Sequence, residues 1–328
     1  MLATPTLSVV VPTYNCAPLM ERHLASMAKW ADLADEFVIV DSHSTDGTLD
    51  LIRERLHHPN VRIIERDRGL YESWNEGIAA TTGDWVYIST AGDLISKAHL
   101  LRLMQEGGRA GADVVVSPQR FVTEAGEPYL GADYTNADIH GLLAGRGVVS
   151  LSPAAVCYYA FRKAKPNALL GSWASNLFRG NFLRARPLPT DYGTHGDTAW
   201  TLRHSAEMNL CLVPVAGASF CIHKKEPGGP QQILGRVLDR LFMEESERLQ
   251  EKLELRHAAE HCTLLHLAES TRAAAMRRRD LWHGTTLYAR NRWAWLPATL
   301  RYLYLRMRLG LAQSSMERKL CDEIRQLT

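Results

Sequence analysis

Two polar clusters stand where apolar, β-branched runs stop. Pro12-Thr13-Tyr14-Asn15 follows Leu7–Val11, and Asp41-Ser42-His43-Ser44-Thr45-Asp46-Gly47-Thr48 follows Glu36–Val40. A carboxylate, a flat aromatic ring and small hydroxyls in this combination suit a nucleoside. Asp41 can accept a hydrogen bond from a uracil imide N–H or a ribose hydroxyl, Tyr14 offers a flat surface, and Thr13 a small polar contact. Taken alone, Asp41 is better read as the cap of a turn; the coincidence of two such clusters at two strand ends reverses that and points to a ligand. No G-x-G-x-x-G follows the first run, where Pro12-Thr13-Tyr14-Asn15-Cys16-Ala17 stands, and there is no Walker A loop. Dinucleotide and P-loop sites thereby lose their phosphate grip.

The elements that must position these clusters alternate along the chain. Runs at Leu7–Val11, Glu36–Val40, Val61–Glu65, Trp85–Ser89 and Asp113–Ser117 read as strands, separated by amphipathic stretches. Met20, Leu24, Met27 and Ala31 mark one helix face; a second helix runs from about Leu49 to Leu56, a third carries Leu70, Trp74 and Ile78, and a fourth spans Leu94 to Arg109. This is an α/β pattern, a doubly wound, mainly parallel sheet of Rossmann-like layout, in which ligands sit at the carboxyl ends of the strands. From Phe121 to about Leu188 the pattern breaks into loop-rich sequence. A helical half, Ala199 to Met208, and strand-like halves, Asn209 to Val215 and Ala218 to Ile222, follow. Pro227-Gly228-Gly229-Pro230 is the strongest boundary, and beyond it the chain turns helical. The expected organisation is a domain over residues 1–226, with halves 1–118 and 119–226, and a C-terminal helical extension over 231–328.

Composition narrows the class. The 328 residues include 38 Lys plus Arg against 36 Asp plus Glu, a net charge of +2, with 46% hydrophobic and 23% charged residues. That balance gives no case for nucleic acid and describes an ordinary folded chain. Six cysteines without a C-x-x-C pair fit a reduced, cytoplasmic setting. The N-terminal apolar stretch is short and reads as a strand rather than a signal peptide.

The motifs LSVVVPTYN, VIVDSHSTDGT and DRGLYESWNEGIAATTGDWVYISTAGD, in this order from Leu7 to Asp93, resemble those of family 2 glycosyltransferases. These are inverting GT-A-fold enzymes that use nucleotide-diphosphate sugars, and the likeness is greatest to the branch found in bacterial polysaccharide assembly. The resemblance implies that Pro12, Thr13, Tyr14, Asn15, Asp41 and Arg68 bind the nucleotide, of UDP or GDP type. It makes Asp93 a ligand of Mg²⁺ or Mn²⁺, although Thr90 stands where the family often has Asp or Asn, and gives His223 a place at the metal or diphosphate. The alternative for His223 is a solvated strand end. Asp197, in His195-Gly196-Asp197-Thr198, matches the family's general base, which takes the acceptor's proton. As a carboxylate at a helix start it would otherwise be held ionised by the helix dipole. Trp173 and Asn176 are acceptor-side candidates, with Trp173 stacking on a sugar or serving as core.

The expected activity is transfer of a sugar to a saccharide or lipid-linked saccharide acceptor; the alternative is a nucleotide-sugar-binding scaffold that has lost catalysis. Between Thr271 and Arg308 nine arginines accompany one acid, Asp280, so this segment carries +8 and the remainder −6. Interleaved with Trp and Tyr, it suits the inner face of a cell membrane or a packed helical or homo-oligomeric face. Three arginines interrupt its most apolar stretch, at about 2.5–3.5 kcal/mol each near mid-bilayer, which argues against a span.

Overall fold

Strand β1, Leu7–Thr13, lies at the centre of the parallel part of the sheet in a computed structural model. The structure describes residues 5–129, 147–153 and 169–222, with positions 156, 160, 237, 240, 241, 244, 245 and 248 besides. β2 (Glu36–Asp41) and β4 (Trp85–Ile88) flank β1, and β3 (Val61–Glu65) lies outside β2, all parallel. Thr13 is opposite Asp41 and Asp41 opposite Glu65, so three strands end at one level. All six β2 residues are buried, as expected of a parallel strand covered on both faces.

The helices return the chain between these strands. α1 (Ala17–Met27) buries Met20, Leu24 and Met27, while Ala31, expected on the same face, starts a separate 3₁₀ turn. α2 (Thr48–Arg55) begins after Gly47, whose φ of +90° needs glycine; Asp46 accepts from the Thr48 amide at 3.1 Å and its hydroxyl at 2.6 Å. α3 (Leu70–Ala79) buries Tyr71, Trp74 and Ile78. The fourth helix, α4, is Lys97–Ala110 and not Leu94 to Arg109, because the Ser96 side chain accepts from the His99 amide and starts it there. Leu94–Ile95 instead forms β5, paired antiparallel with Ala218–Ser219.

Beyond β4 the sheet becomes mixed. β6 (Val114–Val116) does not touch β4; β9 (Leu177–Arg179) is inserted between them, antiparallel to both. β10 (Leu210–Leu212) continues parallel to β6, and β8 (Val149–Leu151) closes that edge antiparallel. The order is β3-β2-β1-β4-β9-β6-β10-β8, an α/β fold with a mixed, mainly parallel sheet. A second sheet joins β5, β11 (Ala218–Ile222) and β7 (Gln119–Thr123). β7 and β9 fall wholly or partly within the stretch read as loop-rich. With three to five residues each, they are too short to show a period. Two further helices matter here, α5 (Gly180–Arg184) and α6 (Gly196–His204), the latter starting three residues before the expected Ala199.

The chain divides into two compact units. The first, Met1–Ser152, Asn167–Trp200 and Met208–Gly228, contains every strand among the described residues. The second comprises Pro153–Pro166, Thr201–Glu207 and Gly229–Thr328. Within it the Arg203 guanidinium donates to both carboxylate oxygens of the fully buried Glu245, at 2.6 and 3.1 Å. The arginine-rich segment and most of the expected helical extension lie outside the described residues.

Candidate functional site

The ends of β1 and β2 are tied by Asp41. Its Oδ1 accepts from the Thr13 and Ser44 hydroxyls, each at 2.7 Å, and its Oδ2 from the Ser44 amide at 2.7 Å. Asp41 is fully buried and Thr13 nearly so. The carboxylate thus caps the turn and holds two strand ends together at once. Asn15, at φ +43°, links the two loops by donating its amide to the Ser44 hydroxyl (2.9 Å) and accepting from the Thr45 amide (2.8 Å). Asn tolerates this left-handed conformation better than most residues.

On this frame Tyr14 and Arg68 come together. The Arg68 guanidinium lies 4.4 Å from the Tyr14 ring centroid, and both side chains face solvent. Such a contact is worth about 0.5–1 kcal/mol at an exposed position. Among the described residues no carboxylate pairs with Arg68, whereas its neighbour Arg66 is 3.6 Å from Glu76. An exposed ring and an uncommitted planar cation, set at the carboxyl edge of parallel strands, can receive a base and a phosphate. Pro12 is half-buried on the strand beside them.

Asp93 lies beyond the end of β4, after a turn in which its amide donates to the Thr90 carbonyl at 3.0 Å and Gly92 takes a φ of +90°. The carboxyl is buried. Its Oδ1 accepts from the Cys221 amide at 2.7 Å, and the Ser172 hydroxyl also donates to it. Burial outweighs these hydrogen bonds and raises its pKa from 3.8 to about 7. His23, packed behind with Nε2 3.0 Å from the Ser89 hydroxyl, is lowered to about 4 by burial, so that neighbour is neutral. A carboxyl in this state gains from a cation. No group of three His, Cys, Asp or Glu side chains able to hold a metal occurs among the described residues. The donor set therefore fits an ion whose remaining oxygens come from a ligand such as a diphosphate, and does not form a cage of its own. His223, the second expected ligand, lies outside the described residues.

Asp197 opens α6 and is 8% exposed. One carboxyl oxygen accepts from the Thr198 amide at 2.6 Å, and the Tyr71 hydroxyl bonds to the carboxyl from α3. A helix start should hold a carboxylate ionised, yet burial prevails and raises its pKa from 3.8 to about 6. That value suits proton abstraction near neutrality. Gly196 makes the approach possible: a Cβ there would come 2.5 Å from the Tyr71 ring and run into the Pro189 carbonyl. Asp191, the nearest carboxylate before Asp197 in the sequence and the other candidate for a base, sits exposed at a turn.

Trp173 and Asn176 are placed differently from an acceptor platform. Trp173 is 3% exposed and stacks on Phe178 with centroids 4.3 Å apart, with Trp200 at 5.1 Å and Trp74 at 5.5 Å. Asn176 is fully buried and donates to the Leu170 carbonyl at 2.6 Å. With no open ring face, Trp173 acts as core, and Trp173→Ala is expected to cost about 3–5 kcal/mol of stability by urea denaturation. A loss below ~1 kcal/mol would show that the ring is not packed as described. Three contributors carry no signal in local sequence: the Cys221 amide, the Ser172 hydroxyl and the Tyr71 hydroxyl. Only Tyr71 belongs to a motif in which it could have been noticed.

Comparisons with known proteins bear on this geometry. The profile described as Glycosyl transferase family 2 matches residues 8–146. A PGL/p-HBAD biosynthesis glycosyltransferase of Mycobacterium bovis is 34% identical over 105 residues, covering 30% of this chain and 40% of that protein. Succinoglycan biosynthesis protein ExoO of Rhizobium meliloti is 32% identical over 114 residues, 34% of this chain and 32% of that one. The chain thus spans less than half the length of these relatives. In structure it is similar to S. aureus TarS 1–349 in complex with UDP-GlcNAc, with a TM-score of 0.55, 16% identity, and coverage of 82% of this chain and 81% of that one.

Proposed function

We propose that this chain, whose residues 8–146 match the Glycosyl transferase family 2 profile, moves a sugar from a nucleotide-diphosphate sugar to a hydroxyl acceptor, with inversion, in polysaccharide or glycolipid assembly. The observation that carries the reading is a pair of buried carboxyls lifted toward neutrality, Asp93 beyond β4 and Asp197 at the start of α6. Their environments suit two tasks, one meeting the leaving group's charge and the other a proton.

In this reading the base stacks on Tyr14 and the diphosphate meets Arg68, while Asp41 keeps the two strand ends at the spacing that the nucleotide spans. The acceptor oxygen attacks the anomeric carbon and gives its proton to Asp197. The bond between that carbon and the phosphate oxygen breaks on the opposite face, and the electron pair leaves with the nucleoside diphosphate. Asp93, joined by His223, would hold a Mg²⁺ or Mn²⁺, which when bound supplies neutralising charge to the diphosphate. The donor is of UDP or GDP type, since a tyrosine face accepts either base. TarS holds UDP-GlcNAc in its structure, so UDP donors head the panel. The acceptor is a saccharide, free or lipid-linked. No helix among the described residues is long and apolar enough to cross a membrane.

A thermal-shift screen of UDP, GDP and their sugars, with and without Mn²⁺, tests the reading, because ligands of the folded state raise its apparent stability. Arg68→Ala is expected to weaken diphosphate binding about tenfold or more while nucleoside binding changes little, since a charged hydrogen bond is worth about 1.5–3 kcal/mol. If no nucleotide raises the melting temperature, the reading fails. A second reading, a nucleotide-sugar-binding scaffold without turnover, has one observation in its favour: Asp93 is the only carboxylate in the segment from Ser89 to Asp93. Nucleotide binding that ignores Mn²⁺, with no transfer to any acceptor, would support it.

A further inference from the structure

The third motif does more than face the nucleotide. α3 carries two polar side chains one turn apart, Tyr71 and Asn75, and both reach the segment that leads into α6. The Asn75 carboxamide clamps Leu188 from both sides, donating to its carbonyl and accepting from its amide at 2.8 Å each. The Tyr71 hydroxyl donates to the Thr194 carbonyl at 3.0 Å, across 123 residues of sequence, which sets it beside the Asp197 carboxyl, whose ionised form it favours. Its ring is 4% exposed, packs edge-on against Trp74 at 5.5 Å, and rests on Gly196.

We infer that Tyr71 is the positioning residue of the proposed base: its hydroxyl holds the Asp197 carboxyl in one orientation and keeps a hydrogen bond to it before and after the acceptor's proton arrives. The inference rests on the reading of Asp197 given above. A phenol has one proton and an oxygen that also accepts. With Asp197 ionised, the Tyr71 O–H donates to the carboxylate. When Asp197 has taken the acceptor's proton, its new O–H donates to the phenol oxygen, and the phenol proton turns to the Thr194 carbonyl. No proton leaves the pair in this exchange, and no buried group is left without a partner, which would otherwise be costly. A tyrosine serving only as core would need neither acceptor, and burying its hydroxyl would bring no gain over phenylalanine.

The arrangement also explains why the base and the nucleotide side share one helix. Arg68 stands just before α3 and faces Tyr14, while Tyr71 in its first turn faces Asp197. Ser172, which donates to Asp93, is adjacent in sequence to Trp173, which packs on Trp74. Residues from motifs far apart in the chain are thus anchored to one rigid element, the condition for holding reacting groups to a fraction of an ångström. Beside Asp197 lie the Tyr71 phenol, which burial keeps protonated, and His195 on its own segment, whose pKa burial lowers.

The test is Tyr71→Phe, assayed for transfer with the full chain, UDP-sugar donors and Mn²⁺ across pH 5 to 9. Loss of the hydroxyl is expected to lower kcat by about tenfold to a hundredfold, to leave the donor KM unchanged, and to move the acid limb of the rate profile upward by on the order of one pH unit. Asn75→Ala is the contrast: it removes the clamp on Leu188 but no bond to the carboxyl, so stability falls while the acid limb stays. An unmoved limb and unchanged kcat in Tyr71→Phe, in an enzyme that Asp197→Asn inactivates, overturn the inference alone; full activity of Asp197→Asn overturns the base assignment and the inference with it. Should Tyr71→Phe not fold, 3-fluorotyrosine incorporated at position 71, a stronger donor, must move the limb downward, and a fixed limb refutes the proposal.

Discussion

Asp197→Asn is expected to abolish measurable transfer, with a loss of about 10²–10⁴-fold, while the protein folds and binds nucleotide as before. Asn is nearly the same shape and can still accept from the Thr198 amide, so the change removes a proton acceptor and little else. The pH dependence should follow the carboxyl. A base must be ionised, so the rate rises with pH through about 6 and levels above it. Stability runs the other way. Between 3.8, the ordinary carboxylate value, and about 6, folded Asp197 holds a proton that the unfolded chain has released. Its contribution is therefore greatest at the acid end of that window and is lost as pH rises through it. The asparagine variant lacks this slope and should be at least as stable as the parent at pH 8. Activity within about threefold of the parent would end the assignment, with Asp191 next in line.

The second large effect concerns Asp93→Asn, read by thermal unfolding at pH 5 and pH 8, with and without Mn²⁺ and UDP. The Asp93 carboxyl is raised from 3.8 to about 7 by burial. The same sign check applies over a wider window: the folded state binds more protons between these values, so the ligand-free protein loses stability as pH climbs from about 4 to 7. A cation at the carboxylate reverses the sense by favouring the ionised form, so stabilisation by Mn²⁺ plus UDP should be larger at pH 8 than at pH 5. Asp93→Asn should remove both the pH slope and the Mn²⁺-dependent part of the shift. The part of nucleotide binding carried by Tyr14 and Arg68 should remain. A Mn²⁺ effect of the same size in the variant would place the ion elsewhere.

Particular residues show how far local reading reaches. The β-branched runs before Thr13 and Asp41 are strands, and parallel pairing sets these two residues side by side, as the alternation of strand and helix demands. The helix faces of Met20, Leu24 and Met27, and of Trp74 and Ile78, are equally local and equally visible. β9 shows the limit. Three residues between two parallel strands turn the sheet mixed, and nothing in Leu177–Arg179 announces an antiparallel partner on each side. Trp173 shows it again, since a single tryptophan reads alike whether it faces a sugar or, as here, three other rings.

The sequence alone determined the order of elements from β1 to β4 and the residue types at their ends, because both depend on neighbours within a few positions. Tertiary structure decided the state of those residues. Whether Asp93 and Asp197 carry charge depends on burial, which favours the neutral form, set against hydrogen bonds that favour the ionised one, and these come from remote parts of the chain: the Cys221 amide from β11 for one, the Tyr71 hydroxyl from α3 for the other. A carboxylate at a helix start, read locally, should be ionised. Desolvation by distant residues overrides the local dipole at Asp197, and only the folded chain can supply it.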